Sequence, residues 1–206
     1  MFTDLPLRAY LEKIAKPDFP TPKGGSAAAM AAALGGALLS MSAQVTAKNS
    51  PNSQLLEIWT QAENISLELS YLADEDVQAY YRVIESFRLP QYPGTDEQKR
   101  RQAIEESFQN ATETLLEIAE NCSRLLELEG ILAPFCSKSC RGDLETARLL
   151  TLASLQASLE LAASNYNKIP AGEFRQMVDK KFLDFRNTIK EGLVKTARKD
   201  GQNSDF

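Results

Sequence analysis

The sequence predicts an all-α protein, a single domain built from long antiparallel helices. Apolar residues recur with the 3.6-residue period of a helix over several long stretches. No segment of any length alternates between apolar and polar residues as a half-buried strand would. The 206 residues suffice for one domain with a core of its own. We assign residues 1–198 to this helical domain and residues 199–206 to a disordered tail.

Composition narrows the chemistry that this domain can perform. The net charge of −5 argues against nucleic acid as a partner. Histidine is absent, so a general base or a metal ligand must come from another residue type. The cysteines are Cys122, Cys136 and Cys140, and without a signal peptide they indicate reduced thiols in the cytoplasm. Their number and spacing do not fit a structural zinc site, so no metal is expected.

A short amphipathic helix is predicted over residues 6–16, and a proline–glycine turn follows it. Residues 20–26 are Pro-Thr-Pro-Lys-Gly-Gly-Ser, and a helix of small uncharged residues continues to Lys48. A glycine turn leading into a helix exposes backbone N–H groups and the positive end of the helix dipole, which suits an anionic ligand. The stretch is long enough to cross a bilayer, but alanine dominates it. We therefore interpret it as a buried helix of a soluble protein, without a membrane partner.

The glycine pair Gly35–Gly36 lies in the middle of this helix. Each glycine costs about 1 kcal/mol relative to alanine in a helix interior. Close backbone packing is the physical reason to keep such a pair. The approaching surface would be a neighbouring helix, a second subunit or a flat ligand.

The remaining pattern predicts four more helices. Ser50 and Pro51 mark the start of a long helix that ends near Leu89. This helix carries three successive acids at 74–76, and one of them should face the interior or a cleft. Thr95 begins the next helix, which ends near Leu128 because Gly130 breaks it. Residues 142–143 open a second alanine-rich helix, and a charged helix follows residue 172. The two small-residue helices should pack on each other or across a dimer interface.

Several motifs, taken together and in order, resemble the cyclodeaminase/cyclohydrolase family of one-carbon folate enzymes. They are the turn and helix start at 20–29, the segment 35–41, the segment 76–80, the pair 142–143, and Asn165. The chain departs from the family pattern at Lys23, where the family has a glycine, and at Gly142, where it has a serine. The resemblance implies an all-α fold, a homodimer, a tetrahydrofolate derivative as substrate and no cofactor.

The resemblance also implies two reactions and a set of site residues. The reactions are hydrolysis of 5,10-methenyltetrahydrofolate and cyclisation of formiminotetrahydrofolate with release of ammonia, which need a proton acceptor and a proton donor. The candidate catalytic residues are Asp76, Asp143 and Lys48. The candidate substrate-binding residues are Lys23, Gly24, Gly25, Ser26 and Asn165.

Each candidate catalytic residue has a structural alternative. Asp143 would serve as a helix N-cap, Asp76 as a solvated acid, and Lys48 as a complement to the helix dipole. The corresponding alternative for the whole chain is a diverged, non-catalytic protein that binds folate or only oligomerises.

Overall fold

The computed structural model describes residues 1–49, 51–90 and 95–202. Within these ranges the chain forms six α-helices and one 3-10 turn and contains no strand, which confirms the predicted fold class. The helices are α1 (Leu7–Ile14), α2 (Gly24–Asn49), α3 (Ser53–Arg88), α4 (Thr95–Leu132), α5 (Arg141–Tyr166) and α6 (Glu173–Gln202), and the 3-10 turn is Lys138–Cys140.

Helices α2 to α5 form an antiparallel four-helix bundle. Helix α2 packs against α3 and α5, and α4 closes the bundle on the opposite side. Leu161 of α5 lies beside Gly24, whereas Cys140 lies beside Thr46, so α5 runs antiparallel to α2. Helix α6 lies against α4 and α5, where the buried Arg148 guanidinium donates to the carbonyl oxygen of Gly192 at 3.1 Å.

The glycine pair of α2 lies where its two neighbours come closest. A Cβ on Gly35 would lie 2.5 Å from Thr151 Oγ1 and 3.0 Å from the carbonyl oxygen of Ala147, both on α5. A Cβ on Gly36 would lie 3.0 Å from the Cβ of Ser66 on α3. The prediction of close packing is confirmed, and neighbouring helices supply the contact on both sides.

One face of α2 is not covered by the bundle. Leu34 at its centre is 56% exposed. The same face is uncharged along the helix until Lys48, and we call it the open face of α2. Its members are partly or fully exposed: Ala27, Met30, Ala31, Leu34, Ala37, Leu38, Met41 and Val45. By length and composition alone α2 is apolar enough to cross a membrane, but 61% of the qualifying window is buried inside the bundle.

Three helix boundaries differ from the prediction. Helix α3 begins at Ser53, where the Asn52 side chain accepts from the N–H of Gln54 at 2.9 Å, while Ser50 lies outside the described residues. Helix α4 continues through Gly130 to Leu132. Helix α6 extends to Gln202, and residues 203–206 of the predicted tail lie outside the described residues.

Candidate active site

The segment that precedes α2 packs against α3 through aromatic side chains. The Phe19 ring stacks on Tyr81, with ring centroids 5.5 Å apart, and meets the edge of Tyr80 at 5.6 Å. The sequence pattern placed both tyrosines on the buried face of α3, but they are exposed on the side that receives Phe19. These contacts set the position from which the chain enters α2.

Asp76 of α3 lies against the N-terminus of α2. Its Oδ2 accepts from the backbone N–H of Ser26 at 2.9 Å. A Cβ on Gly25 would overlap the same carboxylate, so a larger residue there would force the Asp76 side chain to move. The helix N-terminus for which the sequence predicts an anionic ligand thus holds a carboxylate of the protein itself in this structure. This tertiary contact also serves one of the N–H groups that a helix start leaves without an intrahelical partner.

Burial controls the protonation of this carboxyl. It raises the pKa of Asp76 from 3.8 to about 6, while the hydrogen bond from Ser26 acts in the opposite direction. Desolvation disfavours the charged form more than the single N–H bond favours it. At neutral pH the group is therefore mostly ionised yet close enough to its pKa to give and take a proton.

Tyr10 of α1 completes a cluster with Ser26 and Asp76. Its side chain is buried, 5% exposed, and its hydroxyl lies 2.8 Å from Ser26 Oγ. Burial raises the pKa of Tyr10; the hydrogen bond to Ser26 lowers it, and the carboxylates of Asp74 and Asp76 raise it further. Helix periodicity over residues 6–16 predicts Tyr10 on the apolar face of this helix but not a role for its hydroxyl. The available signal was a phenol among aliphatic neighbours, because a buried tyrosine hydroxyl needs a partner.

The neighbouring acids on α3 have different tasks. Asp74 is buried and accepts from the N–H of Phe2 at 2.6 Å and from the N–H and hydroxyl of Thr3. Glu75 is exposed and pairs with Arg82. Two of the three successive acids therefore face inward, where the sequence predicted one. Asp74 fastens the N-terminal segment, and Asp76 reaches the start of α2.

A cavity of about 840 Å³ lies between the N-terminal segment and α3. Its walls are mainly apolar, with Phe2, Leu5 and Tyr71 among them. Asp74 and Glu75 also line it, but Asp76 does not. The volume is in the range of small-molecule pockets.

Five of the predicted site residues lie at the same end of the bundle as Asp76. They are Lys23, Gly24, Gly25, Ser26 and Asn165. The Lys23 ammonium donates to the carbonyl oxygens of Lys16 and Asp18, at 3.1 and 3.4 Å. Gly24 packs beside Leu161, and Asn165 follows one turn later on α5, where it is partly buried.

Lys48 and Asp143 lie at the opposite end of the bundle. The hydroxyl of Thr46 accepts from the N–H of Ser137 at 3.1 Å, which places the start of α5 beside the end of α2. The 20 residues of α2 from Ser26 to Thr46 span about 30 Å at the rise of an α-helix. Within one chain, the structure therefore does not bring Asp143 or Lys48 to Asp76.

The structural alternative for Asp143 also differs from the prediction. Cys140 occupies the N-cap position of α5 without a side-chain cap bond. Asp143 lies in the first turn and is exposed, where its charge complements the helix dipole. Asp143 is therefore not an N-cap residue.

The cysteines and acids form no evident metal centre in the part of the chain that the structure describes. No group of three His, Cys, Asp or Glu side chains is arranged to hold a metal ion there. Cys136 and Cys140 are buried, with their Sγ atoms 3.5 Å apart, and burial raises the pKa of the Cys136 thiol to about 11. Cys122 is buried and free as well.

Comparisons with known proteins identify a family. The model of the formiminotransferase-cyclodeaminase family matches residues 6–184. A methenyltetrahydrofolate cyclohydrolase of Methylorubrum extorquens is 29% identical over 93% of this chain and 89% of that protein. The formimidoyltransferase-cyclodeaminase of Mus musculus is 30% identical over 70% of this chain, but over only 27% of its own length.

The fold has a solved counterpart. The crystal structure of a formiminotetrahydrofolate cyclodeaminase from Thermotoga maritima superposes with a TM-score of 0.83, covers 93% of each chain and is 20% identical. At that identity the likeness concerns the fold. These relatives carry the names of enzymes, so the comparisons give no support to the alternative of a non-catalytic protein.

Proposed function

The chain belongs to the formiminotransferase-cyclodeaminase family, and from this premise we propose that it is an enzyme that hydrolyses 5,10-methenyltetrahydrofolate. The observation that carries the proposal is the Asp76 carboxyl, which is held at the N-terminus of α2 with a pKa of about 6. The cyclohydrolase of Methylorubrum extorquens supports this reaction, because the match covers most of both chains.

Asp76 has the properties that the reaction requires. The methenyl carbon joins two nitrogens and shares their positive charge, so water adds to it when a base removes a proton. The Asp76 carboxylate takes that proton as the carbon–oxygen bond forms. The carbon–nitrogen bond to the ring nitrogen then breaks, and the Asp76 carboxylic acid returns the proton to that nitrogen. The second water proton leaves to solvent, and a formyl group remains on the other nitrogen. One carboxyl titrating near neutrality thus serves as base and then as acid.

The start of α2 and the end of α5 supply the proposed binding groups. Gly24 is exposed at the first residue of α2 and presents its backbone there, whereas the buried Gly25 and Ser26 act indirectly, by holding the Asp76 carboxylate. Asn165 offers an amide to the heterocycle. Lys23 would reach the carboxylates of the substrate's glutamate by leaving the two carbonyl oxygens that it contacts here. The negative carboxylate of Asp76 adds attraction for the cationic methenyl group.

We propose, further, that two copies of the chain pair through the open face of α2. A stripe of uncovered apolar residues with Leu34 at its centre suits a self-complementary interface. In an antiparallel pairing, the Lys48 end of one α2 faces the Gly24 end of the other. Asp143 and Lys48 of one subunit would then approach Asp76 of its partner, which gives the predicted pair of acids a way to meet.

A mixing experiment tests this pairing. Asp76→Asn and Asp143→Asn should each lower the activity when expressed alone. After unfolding and refolding together, half of the dimers are mixed, and each mixed dimer carries one intact site, so about a quarter of wild-type activity should return. Wild-type activity in Asp143→Asn alone would remove Asp143 from the site.

A second candidate reaction is the cyclodeamination of formiminotetrahydrofolate. The formimidoyltransferase-cyclodeaminase of Mus musculus favours it, being 30% identical over the aligned region. In that reaction a folate N–H group attacks the formimino carbon, and Asp76 would take the proton of that group and pass it to the departing nitrogen. A second proton, from solvent, completes the ammonia. We also propose a cytoplasmic location, in which the three thiols stay reduced.

The deciding experiment follows the absorbance of 5,10-methenyltetrahydrofolate with purified protein, and a parallel assay measures ammonia from formiminotetrahydrofolate. We expect the wild type to accelerate the first reaction and Asp76→Asn to lose that acceleration. Glu85→Gln is the matched control, because Glu85 lies on the same helix and pairs with Arg88 at the surface. Decay at the uncatalysed rate with wild-type protein would refute the cyclohydrolase, and ammonia release would then assign the second reaction.

A further inference from the structure

Tyr10 contacts the proposed catalytic centre from outside the four-helix bundle. Helix α1 lies on the bundle without the close helix-to-helix packing that joins α2 to α5. Its buried phenol nevertheless reaches Ser26, the residue whose N–H binds Asp76. The hydroxyl of Ser26 is fully buried, and Tyr10 is its hydrogen-bond partner.

The hydrogen bond between Tyr10 and Ser26 fixes the position of the Ser26 hydroxyl. At 2.8 Å either oxygen can be the donor, and in both cases Ser26 Oγ lies beside the Tyr10 hydroxyl. Burial and the nearby carboxylates of Asp74 and Asp76 raise the pKa of Tyr10, so the phenol keeps its proton. The Ser26 side chain is thereby held in the orientation that places its oxygen beside Tyr10.

We propose that Tyr10 is a positioning residue, which holds the Ser26 hydroxyl away from the Asp76 carboxylate and so keeps that carboxylate available as a base. The inference deepens the proposed function and rests on it for its catalytic meaning. If Tyr10 lost its hydroxyl, Ser26 would be free to turn and donate a second hydrogen bond to Asp76. A carboxylate that accepts an added hydrogen bond is a weaker base with a lower pKa.

Among the described residues, few charged or titratable groups lie near Asp76, so a change in its pKa can be attributed to Ser26. Helix α1 contributes Tyr10, and α2 carries no ionisable side chain before Lys48 at its far end. On α3 itself, Asp74 is held by the N-terminal segment. Lys23, just before α2, has its ammonium on two backbone carbonyl oxygens. From α5, the uncharged residues Leu161 and Asn165 lie at this end, and the acid beside them, Glu160, is exposed.

The direct test is a titration of Asp76 by NMR, with aspartate labelled at Cγ and the signal assigned by its absence in Asp76→Asn. We expect Tyr10→Phe to lower the pKa of Asp76 by about one unit. Ser26→Ala and the double variant Tyr10→Phe/Ser26→Ala should both stay near the wild-type value, because neither has a hydroxyl at position 26. An unchanged pKa in Tyr10→Phe, or an equally low pKa in the double variant, would overturn the inference.

The control separates this effect from a general loss of packing. Tyr81→Phe also removes one phenol oxygen, from an exposed ring that stacks on Phe19, and should leave the pKa of Asp76 unchanged. Tyr10→Phe keeps its ring in place, so the fold should persist by circular dichroism. If Tyr10→Phe acted by a general structural disturbance, the double variant Tyr10→Phe/Ser26→Ala would not restore the wild-type pKa of Asp76.

Kinetics provide the second arm. In Tyr10→Phe, the acidic limb of the kcat/KM profile should move to lower pH together with the titration, kcat should fall several-fold, and KM should change little. An acidic limb that stays in place while kcat falls would contradict the positioning role. If the wild type proves inactive on both folates, the proposed function fails, yet the titration still decides whether Tyr10 orients Ser26.

Discussion

Asp76→Asn should move activity and stability in opposite directions. The amide has nearly the same shape as the carboxyl, and its oxygen can still accept from the N–H of Ser26. The contact at the start of α2 is therefore kept. The substitution removes only the proton acceptor and the negative charge, so its two effects can be assigned to ionisation rather than to lost packing.

The expected gain in stability follows from the pKa of Asp76. Unfolding returns the pKa from about 6 to its ordinary value of 3.8. Between pH 3.8 and pH 6 the native state therefore binds more protons than the unfolded state. The contribution of Asp76 to the free energy of unfolding is fully present below pH 3.8 and is lost as the pH rises through 6. At about 1.4 kcal/mol per pKa unit this penalty is about 3 kcal/mol. Partial exposure of the side chain reduces it to about 2 kcal/mol.

Thermal unfolding and steady-state rates check both effects in one variant. At pH 8 we expect Asp76→Asn to raise Tm by about 4–8 °C, with a gain that disappears near pH 4. Its kcat should fall by about 10²–10⁴-fold, as expected for the loss of a general base. A Tm gain of the same size at pH 4 would contradict the pKa argument. A kcat within about threefold of wild type would contradict the assignment of the base.

The other predictions concern three glycines and the open face of α2. Gly25→Ala should abolish activity, because its Cβ would displace the α3 carboxylate. Gly35→Ala should lower the free energy of unfolding by about 1–2 kcal/mol in urea titrations, since overlap with α5 outweighs the gain in helix propensity. Gly142→Ala, with open space around it, should instead raise that energy by about 0.5–1 kcal/mol. Leu34→Glu should convert the proposed dimer to a monomer in light scattering, and a dimer that persists would place the interface elsewhere.

Much of the fold could be predicted from local pattern, because helix periodicity and the Gly35–Gly36 pair both report on nearby packing. The end of α4 could not be predicted in this way. Gly130 costs about 1 kcal/mol in a helix interior, but Leu128 and Leu132 on either side of it are buried. Burying one such leucine contributes about 1.5–3 kcal/mol, so the helix continues through the glycine.

The candidate site was only partly predictable, because it depends on contacts between residues that are far apart in the sequence. Asp76 and the glycine turn were singled out, but their contact joins residues 50 positions apart, and no local rule specifies it. Tyr10 was missed because helix periodicity identifies buried positions without showing what a hydroxyl there will meet. The distance between Asp76 and Asp143 follows from the direction of α5 relative to α2, which the spacing of the motifs does not reveal.

The glycine pair at the centre of α2 has a consequence for how sequences with this fold can vary. Gly35 and Gly36 allow two helices to approach one backbone from different sides, so no side chain is available there to absorb a neighbour's change in volume. Substitutions on α3 and α5 near this crossing are therefore tolerated only when they keep the volume of the side chain nearly unchanged. The turn before α2, by contrast, lies about three helical turns from this crossing, so a long side chain such as Lys23 does not disturb it. New specificities would then arise at the ends of the helices while the centre stays fixed.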